Sequence, residues 1–256
     1  MTEYSELHAT APAALPVRVL AFGYALAAYL LFFATFVYFI FFIAGILVPK
    51  TVDGGAASVT AGALFANIGL MALFGVQHSV MARPAFKRVW KRVVPDHLER
   101  STYVLASTLV MMALIWGWQP LPQQIWLVTQ PAWFWLLWGL FALGWAVLLA
   151  STFMTDHFDL FGLRQAAVHL SARTYEPVVF KSRLLYRYVR HPLYAGFLLA
   201  FWATPDMTLG RLVLAGGLSL YILVGTLLEE RDLKTAFGER YRAYCQATPR
   251  YLPRLW

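Results

Sequence analysis

Residues 19–48 read VLAFGYALAAYLLFFATFVYFIFFIAGILV, thirty consecutive residues without a charge and rich in Phe and Tyr. About 20 apolar residues cross a bilayer, so this run can span one with tilt. The rest of the chain agrees with a membrane setting. Of its 256 residues 60% are hydrophobic and 13% charged, and the mean hydropathy of +0.58 lies outside the range of a soluble domain. The predicted fold is all-α: a polytopic transmembrane helical bundle of five to six membrane segments, closed by a C-terminal helical hairpin and a cytoplasmic C-terminal segment. Met1 to Pro16 carries Glu3 and Glu6 and lacks the pattern of a cleaved signal. Helix one itself is therefore expected to direct insertion.

Outward from that run, Val59 to Ala82 is a second span, interrupted near its far end by Gln77-His78-Ser79. Arg83 to Arg100 is basic, and Phe86, Val89, Trp90 and Val93 recur at helical spacing, which predicts an interfacial amphipathic helix. Thr102 to Trp118 is a third span, somewhat short, and the loop Gln119 to Pro131 carries no charge. Ala132 to Met154 is a fourth, with Trp126, Trp133, Trp135 and Trp138 placed as an aromatic belt. After a long polar connector, Thr155 to Arg190, the apolar stretch Leu193 to Thr204 is too short to cross alone. Pro205-Asp206 breaks it from Leu209 to Leu228, so the two stretches are expected to pair as a hairpin.

The formal charge is +8, but the basic residues sit in short segments between apolar runs. Six of the 21 Lys and Arg lie in residues 83–100, six in 164–190 and six after Glu230. The positive-inside rule explains that placement without a nucleic-acid partner and predicts cytoplasmic termini in a bacterial inner membrane. A single cysteine, Cys245, excludes an internal disulfide, a redox pair and an all-Cys metal site. The six histidines form no i, i+4 pair, so no metal is expected. No repeat divides the chain. Residues 1–256 read as one integral-membrane domain, with 1–155 as transmembrane scaffold and 156–256 as the part carrying chemistry. The sequence leaves the oligomeric state open.

Two stretches concentrate ionisable residues at the basic side of the membrane. Arg190-His191-Pro192 begins the hairpin, with Pro192 suited to a first helical turn, and the hairpin returns Glu229-Glu230 towards it. Two carboxylates at a helix C-terminus oppose its dipole and call for a cationic partner, whether Arg187, Arg190, Arg231 or a bound ligand. In the second stretch Asp156, His157 and Asp159 are framed by apolar residues and followed by Arg164. Carboxylates beside an imidazole would orient its tautomer or stabilise its protonated form. Each stretch also suits a plain structural reading, as a helix start and as an interfacial cap, and His78 suits helix packing.

Arg-His-Pro-x-Tyr-x-Gly from Arg190, Glu-Glu about thirty-three residues on, Phe237-Gly238, and Pro-Arg-x-x-Pro at Pro249 together resemble the C-terminal module of the integral-membrane methyltransferases. That superfamily includes the isoprenylcysteine carboxyl and phospholipid methyltransferases. The resemblance covers Arg190 to Pro253. It implies a site for S-adenosyl-L-methionine formed by Arg190, His191, Pro192, Tyr194, Gly196, Glu229, Glu230 and Tyr241, with Gly196 allowing close approach. No glycine-rich dinucleotide loop is present. Gln77-His78-Ser79 and Asp156 to Gln165 are similar to the bacterial methanethiol S-methyltransferases, and also to a related group of nitrite-reduction-associated membrane proteins. This second resemblance implies a small thiol acceptor that arrives from the lipid bilayer, methanethiol becoming dimethyl sulfide. Because a thiol must react as its thiolate, His157 with Asp156 or Asp159 is the candidate base system, and His78, Arg164 and Arg190 are candidates to stabilise the thiolate. Two competing readings remain at this level: a prenylcysteine or phospholipid acceptor, and a haem- or quinone-associated accessory protein using His78, His157 and His191.

Overall fold

A backbone in lipid must satisfy its own N–H and C=O groups, and the apolar runs do so as helices. The computed structural model describes residues 13–55, 60–177 and 184–253. Glu3, Glu6, Val59, Lys181, Arg183 and Arg254 lie outside the described residues. Five helices are long and apolar enough to span a membrane: α1 (Leu15–Ala44), α2 (Ala61–Ala82), α4 (Asp96–Gly117), α5 (Pro131–Thr155) and α9 (Leu209–Phe237). Large apolar side chains such as Leu30, Phe65, Trp135 and Leu220 stay exposed on them, as lipid-facing residues do. The predicted hairpin is α8 (Pro192–Trp202) followed by α9.

Two boundaries differ from expectation. The basic connector is not one interfacial helix. A short α3 (Pro84–Trp90) ends in a turn, and Asp96 to Ser101 join the third span, with Asp96 and Glu99 in the first turn of α4, where the helix dipole favours them. That addition is why the third span is long enough. Secondly, α9 does not end at Glu229-Glu230 but runs two turns further, to Phe237, with Gly238 after it. The two carboxylates lie inside a helix, so the dipole argument for a partner lapses and the partner must be sought in packing.

Helix α5 holds α8 by glycine contact. A Cβ on Gly196 would lie 2.6 Å from the Gly144 carbonyl oxygen and 2.8 Å from the Leu148 amide nitrogen. The two backbones touch there, which fixes His191 and Tyr194 beside the end of α5. Aromatic rings of α1 and α8 flank the same helix: Trp145 meets Phe36 and Phe39 on one side, Phe197 and Phe201 on the other. At the end of the bundle away from the basic segments, β1 (Gln124–Leu127) pairs antiparallel with β2 (Asp206–Thr208). Under it Arg211 donates to Asp53 at 2.7 Å and to the Thr204 hydroxyl at 2.9 Å, and Asn67 exchanges two 2.8 Å hydrogen bonds with the backbone of Gln119.

At the basic end, α6 (His157–Leu160) turns back against α5, and α7 (Leu163–Leu170) runs along α1 and α4. Gly162, with a φ of 89°, makes the corner. A Cβ there would sit 2.6 Å from the Ser101 amide nitrogen, so only glycine admits this close approach to α4.

Candidate active site

Residues 190–191 run beside 249–250, the amides of Arg190 and His191 donating to the carbonyls of Pro249 and Arg250 at 2.8 and 3.0 Å. This short ladder carries the C-terminal segment back over the start of α8. It delivers Arg190, His191 and Arg250 to one carboxylate. Glu230, 2% exposed, accepts from Arg190 Nε and Nη2 at 3.0 and 2.8 Å, from His191 Nε2 at 3.0 Å, and from Arg250 Nε and Nη2 at 3.2 and 2.9 Å. Arg190 Nη1 donates in addition to the carbonyls of Cys245 and Thr248. A carboxylate only accepts, so His191 carries its proton on Nε2. Burial pushes the His191 pKa below the ordinary value, against the opposing pull of Glu229 and Glu230. Glu230 holds the Arg250 pKa above its usual value.

Glu229, one residue earlier, is built differently. Its Oε2 accepts from the Tyr194 hydroxyl at 2.8 Å, no hydrogen bond to Oε1 is recorded among the described residues, and its side chain is partly accessible. The ring of Tyr194 lies against His191, centroids 5.5 Å apart. Around this corner stand groups from the helices expected to be scaffold. His78 accepts or donates through Nδ1 to Ser107 at 3.1 Å, and its ring meets Phe74, Tyr103 and Tyr221 at 5.3, 5.0 and 6.2 Å. The site therefore draws on α2, α4, α8 and α9.

The second cluster follows α5. Burial lowers the His157 pKa, and nearby Asp156 opposes this. The ring is 4% exposed, stacked on Phe153 at 4.3 Å, with Phe161 at 4.8 Å and Phe158 at 5.3 Å. Its hydrogen bonds go to Thr152 and Tyr29, not to Asp156 or Asp159. Asp156 caps α6 through the Asp159 amide. Asp159 accepts from Arg164 at 3.2 Å and from the Tyr175 hydroxyl at 2.7 Å, and burial, with Asp159 adding to it, raises the Tyr175 pKa to about 12. Arg164 is thus engaged by carboxylates and by the Glu176 carbonyl.

Of the residues read from sequence, the structure joins Arg190, His191, Glu230 and, through Tyr194, Glu229. Pro192 opens α8 as expected. Gly196 gives its close approach to α5, because the space a Cβ would take is filled by that helix. Tyr241, 1% exposed, is core of the C-terminal segment. Arg190 spends four of its five N–H donors on Glu230 and the carbonyls of Cys245 and Thr248, so one Nη2 hydrogen is left for any further partner. The three histidines of the haem reading stand in three separate hydrogen-bond sets, and no group of three metal-binding side chains occurs among the described residues. Sequence reasoning did not find Tyr29, Thr152, Tyr103 or Tyr221. All four lie in apolar helices, where a lone hydroxyl gives no periodic signal. Arg250 was visible in the final Pro-Arg-x-x-Pro, but its partner was not.

The family model described as NnrU protein matches residues 67–252. The chain is 47% identical to Methanethiol S-methyltransferase 1 of Bradyrhizobium diazoefficiens over 97% of its own length and 88% of the relative's. It is 48% identical to Methanethiol S-methyltransferase of Mycobacterium tuberculosis over 92% and 97%. At 33% identity, over 65% of the chain and 61% of the relative, it is similar to Nurim of Xenopus laevis. No solved structure matches.

Proposed function

The chain belongs to the NnrU family, and from that premise we propose that it transfers a methyl group from S-adenosylmethionine to methanethiol, giving dimethyl sulfide. It is an integral-membrane methyltransferase. The observation that carries the reading is the contrast between adjacent carboxylates. Glu230 is consumed by two arginines and a histidine, whereas among the described residues Glu229 accepts only from Tyr194, through Oε2. An acidic group left under-paired at a partly buried position suits a cationic ligand.

S-adenosylmethionine, when bound, supplies a methyl group on a positively charged sulfur. Glu229 would hold the positive end of the cofactor, with Tyr194 orienting Glu229. Arg190, His191, Glu230 and Arg250 fix the wall behind it, and residues 156–256 supply most of the cofactor site. His78, Tyr103 and Tyr221 close the membrane side and exclude water. Alignment of donor and acceptor with water excluded can contribute about 7–11 kcal/mol to methyl transfer. His157 lies at the same end, next to α5, as the base system for a thiol that must react as its thiolate. The excess of Lys and Arg in the basic segments supports a cytoplasmic position for this end in a bacterial inner membrane, on the side of the cofactor, while a small apolar thiol would arrive through lipid.

Headspace dimethyl sulfide from purified, detergent-solubilised protein tests the reading. Product that requires both S-adenosylmethionine and methanethiol, and falls in His157→Ala, is expected. Cofactor binding without methylation of methanethiol would overturn the acceptor, and absence of cofactor binding would overturn the donor.

A further inference from the structure

Thr152 fixes the proton on His157. Its Oγ1 donates to the Leu149 carbonyl at 2.7 Å, as a helical threonine does, so its one hydrogen is used. It can then only accept from His157 Nδ1, 2.8 Å away. With the proton on Nδ1, Nε2 is bare and the Tyr29 hydroxyl, 2.9 Å away, donates to it. Both ring nitrogens are engaged inside Phe153, Phe158 and Phe161, and a thiol cannot reach either without displacing a partner. The Tyr29 oxygen retains lone pairs with no recorded donor among the described residues. Its ring lies between Phe33 and Phe161, at 6.3 and 6.1 Å. Phe33 of α1, Phe153 of α5 and Phe158 of α6 are exposed around it, as lipid-facing rings are.

We propose that Tyr29 is the catalytic residue that meets the thiol, relaying its proton to His157, and that Thr152 is a positioning residue which sets the imidazole tautomer. This rests on the thiol-methylation reading. The thiol S–H bond breaks and its proton passes to Tyr29 Oη, while the Oη–H proton passes to His157 Nε2. The sulfur lone pair forms the new S–CH3 bond, and the C–S bond of the sulfonium donor breaks with its electron pair left on the donor sulfur. His157 ends as an imidazolium between Thr152 and the bare-oxygen side of Tyr29, with Asp156 the nearby anion that favours it. Arg164 lies on Asp156 at 3.6 Å and tempers that help. Asp159 is taken by Arg164 and Tyr175. No charged side chain of α1 or α5 is recorded against the ring.

The test compares methanethiol with 2,2,2-trifluoroethanethiol at about pH 8.5, where the more acidic thiol is largely thiolate and needs no base while methanethiol is still mostly protonated. Tyr29→Phe keeps the ring and is expected to lose about 100-fold in kcat on methanethiol, less than about 5-fold on the acidic thiol, with S-adenosylmethionine affinity unchanged. Thr152→Val should shift the His157 tautomer, read by ¹⁵N NMR of histidine-labelled protein, and slow methanethiol alone, while Thr152→Ser restores both. Equal loss on the two thiols, or no loss, would overturn the relay, as would a His157 proton on Nε2 in the unaltered protein. An unaltered protein that binds S-adenosylmethionine yet methylates neither thiol would instead overturn the function on which the relay rests.

Discussion

The two ends of the bundle each bury an arginine against a carboxylate, and they finish differently. At the end capped by β1 and β2, Arg211 spends its donors on Asp53, Thr204 and the Asp206 carbonyl, and Asp53 also accepts from Thr208. Both oxygens of the carboxylate there have a donor. At the basic end Arg190, Arg250 and His191 saturate Glu230, but among the described residues the adjacent Glu229 has a single tyrosine as hydrogen-bond donor. A matched cluster joins helices, whereas the acceptor left over is the one proposed to meet the cofactor. Buried charge by itself does not mark a site; the unmatched remainder does.

The largest effect should come from the matched carboxylates. Glu230→Ala leaves two arginines facing one another without an anion, and removing one partner from a buried pair costs about 3–5 kcal/mol. Asp53→Ala should destabilise in the same way at the opposite end. Thermal unfolding in detergent reads both. Only Glu230→Ala is expected to abolish S-adenosylmethionine binding. A Glu230→Ala protein as stable as the unaltered one would break the comparison.

Glu229→Gln comes next. It keeps shape and the Tyr194 contact while removing the charge, so stability should hold. Cofactor affinity should fall by about 10- to 150-fold, the value of a hydrogen bond to a charged group, about 1.5–3 kcal/mol. Titration of tryptophan fluorescence with S-adenosylmethionine measures it, and unchanged affinity would show that Glu229 does not face the ligand.

Smaller again is Gly196→Ala. Its Cβ would meet backbone atoms of α5 at 2.6 and 2.8 Å, contacts that cannot yield as a flexible side chain would. Overpacking of this kind costs about 1–3 kcal/mol, and it should move Tyr194 and so lower activity. Gly216→Ala, whose Cβ would meet nothing within 4 Å, is the control and should leave both stability and activity intact.

The membrane class, the apolar spans and the hairpin were legible because each depends on runs of like residues. Arg190, His191 and Glu230 were legible as a group, since a hairpin has to return its two ends to one side. What escaped was pairwise. The two glutamates are equivalent in sequence, and only the fold-back of 249–250 over 190–191 separates them. Asp156 and Asp159 flank His157 in sequence, yet α6 turns them outwards to Arg164 and Tyr175, and the ring finds Tyr29, 128 residues away. Gly196 was read as letting the cofactor approach, whereas the neighbour its missing Cβ admits is α5.

The smallest effect separates the two ends by pH. Burial depresses the pKa of His191 in the folded protein, while in the unfolded chain it titrates near the ordinary value of about 6.5. Below that value the unfolded state binds a proton that the folded state refuses, so stability rises with pH through this window and is lost on acidification. His157 is shifted in the same direction and adds to the slope. The apparent unfolding temperature in detergent should therefore fall between about pH 7 and pH 5.5, and His191→Asn should flatten that fall. No histidine is joined to the Arg211 cluster in the recorded hydrogen bonds, so Asp53→Ala should unfold at a lower temperature with the slope unchanged. A flattened slope in Asp53→Ala, or an unaltered one in His191→Asn, would mean that the pH sensitivity does not belong to the end that holds the surplus carboxylate.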